Sequence, residues 1–288
     1  VNPVYFFEVT IMDLKLTSEQ ITDIIGKAQK SSALAQLTPQ ITISDSRDKV
    51  LPYLDNEEPG RFHLPSQEQK TVAGDSVAPL EIDMYPVYKV LQFSDKDAAN
   101  EATLTDALKN RLPLALAEAI DQGGFGTLKS GIPDKNWSSF STLPAGTALS
   151  GKLSSYDDAL SALNSKGFNE TGWLLDTSVK ADLRAAFRAE NNGLSYVANG
   201  IQDGFNLEGI PSYFRTLNVA DAGHVGVVGD FTQARIAVSG NIQLTMVDGS
   251  TSYTMMMADK VTIKAMFFVG FRFATPDAFV ALDPAPKA

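Results

Sequence analysis

Apolar side chains at Leu104, Leu108, Leu112, Leu116 and Ile120 recur every four residues, with Ala115 and Ala119 beside them. That spacing puts one apolar residue per turn on a single face and predicts a long amphipathic helix ended by Gly123–Gly124. Pro113 interrupts it: proline has no N–H for the carbonyl of Lys109, so a bend is expected across Lys109–Pro113. A second helix is predicted over Thr17–Leu37, capped by Thr17 or Ser18, with Ile21, Ile24, Ile25 and Ala28 on one face and Pro39 as its stop. Shorter helices follow at Ser155–Ser165 (Tyr156, Leu160 and Leu163 inward) and Val179–Ala189 (Leu183, Ala186 and Phe187 inward). The run Trp173–Leu175 between them reads as a short buried strand.

Elsewhere the pattern has a period of two. Leu80–Phe93 alternates, with Tyr85, Val87, Lys89, Leu91 and Phe93 on one face and Tyr88 and Val90 on the other. After Gly204, strand signals dominate: Gly209–Ser212, Gly226–Asp230, Ile236–Val238, Ile242–Val247, the long apolar Val261–Phe273, then Pro276–Val280. Val1–Thr10 reads as an extended arm or edge strand. The segment Ser44–Pro79 differs in kind. Its four prolines, seven acids and four bases leave too little apolar surface for a core. A protruding hairpin or loop, ordered only by neighbours, is expected there. Helices and strands mix without strict βαβ alternation, so the fold class is α+β, and no repeat of 20–50 residues is present.

Composition narrows the chemistry. At 288 residues the chain has room for one large domain or two modest ones. Its net charge of −10 argues against gripping a polyanion through a basic surface. No apolar run approaches the ~18 residues of a membrane span, so no membrane partner is expected, and no secretory signal is visible from Val1. The absence of cysteine removes disulfides, thiol catalysis and cysteine-based metal sites. With His63 and His224 as the two histidines, a multi-imidazole metal site is also excluded.

The remaining candidates are weak. Gly223–Gly229 spaces glycines three apart but lacks the lysine and helix start of a phosphate cradle, and Gly123–Thr127 follows a helix instead of opening one. His224 lies near Asp221 and Asp230, yet no Gly-x-Ser-x-Gly elbow accompanies it. A hydrolase using His224 with Asp230 is therefore a remote alternative. Glu57–Glu58 and Asp157–Asp158 are adjacent pairs that point apart, unlike carboxylates held ~5–9 Å across a cleft. Met255–Met257 reads as a pliable packing or contact strip. No catalytic, cofactor-binding or metal residue is assigned, no cofactor is expected, and the chain does not read as an enzyme.

Four stretches together resemble the major capsid proteins of tailed bacteriophages with the HK97-type fold. Ile24–Leu34 is similar to the family's opening helix, and Val90–Asp95 with the Leu104–Gly124 helix resembles its strand and spine helix. Tyr156–Gly193 resembles its helix, Trp-Leu-Leu strand and helix. Leu207–Pro211, Val228–Phe231 and Phe271–Phe279 are similar to its closing strands. The Gly-Asp-Phe and Arg-x-x-x-Pro-x-Ala-Phe elements are the most specific.

The resemblance implies a map: 1–43 as N-arm and opening helix, 44–80 as the E-loop reaching over a neighbour, 81–135 and 240–274 as the peripheral (P) domain, and 136–239 and 275–288 as the axial (A) domain. It implies a structural protein that self-assembles as hexamers and pentamers into an icosahedral shell in the virion, assembled in the host cytoplasm. The shell would enclose double-stranded DNA contacted weakly and without sequence specificity. Portal, scaffolding and possible decoration proteins are the other implied partners. An encapsulin-like compartment holding cargo proteins is the alternative within the fold, although the cargo-binding helix of that class is not recognisable in Val1–Leu16. Many relatives carry a ~100-residue scaffolding segment before the opening helix, so a cleaved segment or a separate scaffold protein is expected. Some members lock subunits by an isopeptide bond. Here Lys49 or Lys70 would supply the amine, but Asp259 and Met266 stand where the asparagine and glutamate would be. An ionised aspartate resists amine attack and methionine moves no protons, so a non-covalent shell is expected.

Overall fold

The computed structural model describes residues 18–43, 49–56, 76–94, 110–128, 136–190, 200–219, 223–239, 243–247 and 252–284. The expected N-terminal arm, most of the E-loop including its tip, and the first six residues of the predicted long helix lie outside these.

The predicted Thr17–Leu37 helix is two helices, α1 (Ser18–Ser31) and α2 (Ala33–Leu37). Ser32 breaks it by taking extended dihedrals and capping α2 with its hydroxyl, which accepts from the Ala35 N–H. Ile24 and Ala28 are buried as their spacing requires. The helix α3 is described over Leu112–Phe125. Pro113 lies in its first turn, where a missing N–H costs nothing, and a wider π-type turn at Asn110–Arg111 precedes it. The expected bend across Lys109–Pro113 reaches into residues outside those described. Gly123 and Gly124 do not end α3; they are inside it. A Cβ on Gly124 would come within 2.3 Å of Leu34 Cδ2, so the glycine is there to let α2 approach. The C-cap is Gly126, left-handed at φ 89°.

Two sheets follow. In the first, β12 (Lys260–Phe273) pairs with β4 (Tyr85–Ser94) along one edge and with β11 (Gln243–Val247) and then β10 (Ala234–Ser239) along the other, and β1 (Gln40–Ile43) pairs with β10. The second orders β5 (Thr147–Ala148), β13 (Phe279–Asp283), β9 (Gly226–Gly229), β6 (Gly172–Asp176), β8 (Ile210–Arg215) and β7 (Phe205–Leu207). The predicted Leu80–Phe93 strand is also two: β3 (Ser76–Ile82) turns away at Asp83–Met84 and pairs with β2 (Lys49–Asn56) as a two-stranded sheet of its own. The mixture is α+β, as predicted.

Two cores sandwich the second sheet. Leu174, Val227 and Ala281 face a core shared with α1, α2, α3 and β12; Trp173, Leu175, Val228, Val280 and Leu282 face one closed by helices α4 (Ser154–Ser165) and α5 (Val179–Glu190). Every residue of β6 is therefore buried, which is why Trp-Leu-Leu reads as a continuous apolar run. In the first core Phe140 stands 4.9–6.2 Å, centroid to centroid, from five rings: Phe125, Phe231, Phe271, Phe273 and Phe279.

Candidate assembly interface

Three outward features stand out among the described residues. The first is the β2–β3 hairpin, whose strands pair with each other and with no other described strand. Such a ribbon is marginal alone and needs an anchor. Its root supplies one. Leu80, Ile82 and Met84 pack with Ala237, Ile41, Phe268 and Ala274. Gly270 on β12 is what admits them, since a Cβ there would meet Ile82 Cγ2 at 2.4 Å and the Asp83 carbonyl at 2.8 Å. A polar chain adds direction: Arg272 donates to Asn136 Oδ1 at 2.5 Å, and Asn136 Nδ2 donates to Asp83 Oδ1 at 3.2 Å.

The second feature is the outer face of β4, β12 and β11. Register places Tyr88, Met266 and Gln243 side by side, then Val90, Lys264 and Thr245, then Gln92, Thr262 and Val247. Tyr88 and Val90 are exposed large apolar residues, and Lys264 Nζ lies 5.3 Å from the Tyr88 ring centroid. The opposite face carries Ile263, Ala265 and Phe267 into the first core. Lys89, which interrupts the inner face in the sequence, points out to solvent.

The third is α6 (Tyr253–Ala258), between β11 and β12, which carries the methionine strip. It buries none of its residues; Tyr253 is 73% and Met257 68% exposed. Met255 is engaged, its sulfur accepting from the Thr262 hydroxyl at 3.4 Å. Asp259 caps this helix in the left-handed conformation and is exposed, while Met266 is half-buried in mid-strand.

Behind these surfaces sits a buried polar joint. Asp121 on α3 accepts from Ser32 Oγ at 2.7 Å, Leu34 N at 2.9 Å and Ala33 N at 3.1 Å, so it holds the start of α2 from another helix. Arg215 on β8 brings Nε to 3.2 Å of the same carboxylate without aiming its N–H there. The guanidinium also donates to Ser31 O at 3.0 Å and pairs with Asp203. Burial pushes the Asp121 carboxyl above its ordinary range, against the Ser32, Leu34 and Ala33 hydrogen bonds and the Arg215 charge. Burial, with Asp182 nearby, likewise holds the Tyr156 phenol above its usual range. Sequence reasoning missed the Asp121 joint. Its signals were a carboxylate next to the buried Ile120 and a Ser-Ala-Leu cap inside an apparently continuous helix.

The histidine alternative fails on geometry. His224 does not meet Asp230; its Nδ1 lies 2.5 Å from Asp283 Oδ1, a residue 59 positions away. Asp230 instead accepts from the Thr232 N–H and hydroxyl, capping a 3-10 turn. Strand topology makes the difference, because Asp230 lies beyond the far end of β9 from His224, whereas β13 runs antiparallel and returns Asp283 to it. His63, Asp221 and Glu57–Glu58 lie outside the described residues. Asp157 and Asp158 are both exposed on α4. Among the described residues no cluster of three metal-binding side chains occurs, and no helix is long and apolar enough to cross a membrane.

Two sheets, a helix packed in the core they share and a two-stranded hairpin packed at its root make up an α+β fold that matches HK97-like phage capsids. The chain belongs to the phage capsid family, which it matches over residues 16–283. It is a structural major capsid protein, and its place is the icosahedral shell of the virion. Solved structures share the fold at low identity. The Gordonia phage Cozz chain is similar at 16% identity and a TM-score of 0.66, over 89% of this chain and 87% of that one. A Mycobacterium phage Bobi chain aligns over 100% and 96% at 15% identity, TM-score 0.61. A chain from the capsid of a native GTA particle aligns over 99% and 96% at 14% identity, TM-score 0.62. No curated protein sequence matches the chain.

Proposed function

We propose that this chain assembles as hexamers and pentamers into a closed shell around double-stranded DNA, and that it does so without catalytic activity. The observation that carries the reading is the β2–β3 hairpin: a ribbon fixed at its root by Ile82 and Gly270, and paired with no other strand among the described residues. We read it as the base of the E-loop, which rests on the outer β4–β12–β11 face of the next subunit. The five-stranded sheet with α3 is the P domain and the six-stranded sheet with α4 and α5 the A domain, in line with boundaries near 81–135 and 240–274 against 136–239 and 275–288. The methionine helix is a second contact with neighbouring copies.

The net charge of −10 suits a wall that does not hold phosphates, since each neutralised phosphate adds salt-dependent affinity. Portal, scaffolding and decoration proteins are the remaining partners, and assembly takes place in the host cytoplasm. With Asp259 and Met266 where a crosslink would need an amide and a carboxylate, the shell is held without covalent bonds. Electron microscopy of the purified chain tests the reading directly, with the 260/280 nm absorbance ratio of the particles reporting nucleic acid. Particles filled with protein cargo and free of nucleic acid would replace it with a cargo compartment, and a chain that stays monomeric under all assembly conditions would overturn it.

A further inference from the structure

Pro52 and Pro79 stand directly opposite each other in the β2–β3 ribbon. Facing residues of an antiparallel pair alternate between those that exchange two N–H···O bonds and those that exchange none. Neither proline has an N–H, so this pair is of the second kind. Backbone groups at such positions point away from the partner strand. Positions 50, 52 and 54 therefore present their backbones to one edge of the ribbon, and 77, 79 and 81 to the other. On each edge the middle donor is missing. At the far end the register shifts between Leu54 and Asn56, leaving Asp55 as an extra residue, and a bulge of this kind twists the edge further out of line. Prolines and bulges are devices that stop another strand from adding to an open edge.

We propose that the hairpin meets a neighbouring copy through its faces alone, both of its edges being closed to strand addition, and that the surface it meets is the outer β4–β12–β11 face. This rests on the reading of the hairpin as the base of a loop that reaches the next subunit. Two observations select that face. Apolar residues fill both phases of the strand period, Val50, Leu54 and Val77 in one and Leu51, Tyr53 and Ala78 in the other, so a sheet laid against either side gains apolar contact. The exposed Tyr88 and Val90 supply the matching apolar part. Charge is complementary as well. In a chain of net charge −10, β4, β11 and β12 contain no acid and carry Lys89, Lys260 and Lys264 besides the Arg272 engaged at the hairpin root, whereas residues 49–82 hold six acids against three bases. An edge-paired hairpin would be tied to its neighbour by a ladder of backbone hydrogen bonds. A hairpin laid face-on can slide over the neighbour without breaking one.

The test has two arms, both on the full chain. In the first, Pro52→Ala with Pro79→Ala restores the two missing donors. Sedimentation velocity of soluble subunits compares this variant with the native chain and with Pro65→Ala, which alters a proline outside the ribbon. The double variant should associate severalfold more than either, through its opened edges, in aggregates that bind thioflavin T. Equal association in all three, or an equal rise in Pro65→Ala, would overturn the closed edges. In the second arm, a cryo-electron microscopy map of native shells should show the hairpin lying on Tyr88, Val90 and Lys264 of the next copy. No foreign strand should run beside residues 50–54 or 77–81 at the ladder spacing of about 4.8 Å. A neighbour's strand hydrogen-bonded along either edge would overturn the proposal, and so would a hairpin lying on another surface. A native chain that forms no shell would remove the underlying reading and the proposed partner with it, whereas the sedimentation arm decides the closed edges independently.

Discussion

The ring cluster around Phe140 and the helix that carries Met255–Met257 are both apolar, and they have opposite fates. Phe140 is 1% exposed and surrounded by its own chain, whereas Met257 is 68% exposed and touches little of it. Rigid rings with few rotamers fill the interior, where one arrangement must be chosen. Flexible thioethers lie outside, where a surface proposed to meet a neighbouring copy can adapt to it. The contrast separates what the subunit needs in order to fold from what the shell needs in order to close.

The largest way to break that contrast is at the hairpin. Removing residues 57–75 and joining β2 to β3 by a short turn should abolish shells in electron micrographs, while the subunit's thermal midpoint stays nearly unchanged. A large drop in that midpoint would mean the loop belongs to the fold. Phe140→Ala should do the reverse, lowering subunit stability in urea by about 3–5 kcal/mol through the cavity left among five rings.

Asp121→Asn should cost about 1–3 kcal/mol, because an amide cannot accept from Ser32, Ala33 and Leu34 at once. Its pH dependence has a fixed sign. Burial raises the folded carboxyl above its unfolded value, so the wild-type contribution is fully present below the ordinary carboxylate value and is lost as pH rises through the raised one. Urea titrations of both proteins should show their difference shrinking toward neutral pH, and a growing difference would refute the argument. Smaller still, Met256→Ser with Met257→Ser should move subunit stability by no more than about 0.5 kcal/mol while slowing assembly followed by light scattering. Last, boiled shells should run as a single band near 31.0 kDa on a denaturing gel, and a ladder of multimers would show a covalent lock.

Periodic patterns were legible wherever a single face decides burial. The helices α4 and α5 and the buried β6 follow from spacing alone, and the class α+β follows from their order. The misreadings have one cause: contacts distant in sequence. A helix predicted through Ser32 breaks because Asp121, 89 residues on, caps the second half. Gly123–Gly124 looked like a terminus, but Leu34 needs the space that Gly124 leaves, and Gly123 lies against Leu128 and Trp137. A strand predicted through Asp83 turns because Gly270 lets it cross, and His224 finds Asp283 because β13 folds back beside β9. Of the proposed assembly surface, the hairpin and the methionine strip were visible in the sequence. The outer sheet face was half visible, since the alternation of Tyr88 and Val90 was plain but their neighbours Lys264 and Met266 depend on register.

Strand β12 also has a mechanical role. It extends 14 residues, about 46 Å at the usual strand rise, with Gly270 and the hairpin root near one end and the methionine helix at the other. From Lys260 to Val269 every residue is paired with β4, while β11 and then β10 line its other edge. A pull on the hairpin is therefore carried along a tie whose hydrogen bonds lie across the load and share it in parallel, so that sliding requires many to fail together. Under tension from within, the subunit should pass force from one neighbour to the next along this single strand instead of stretching, leaving the ring-packed interior unloaded.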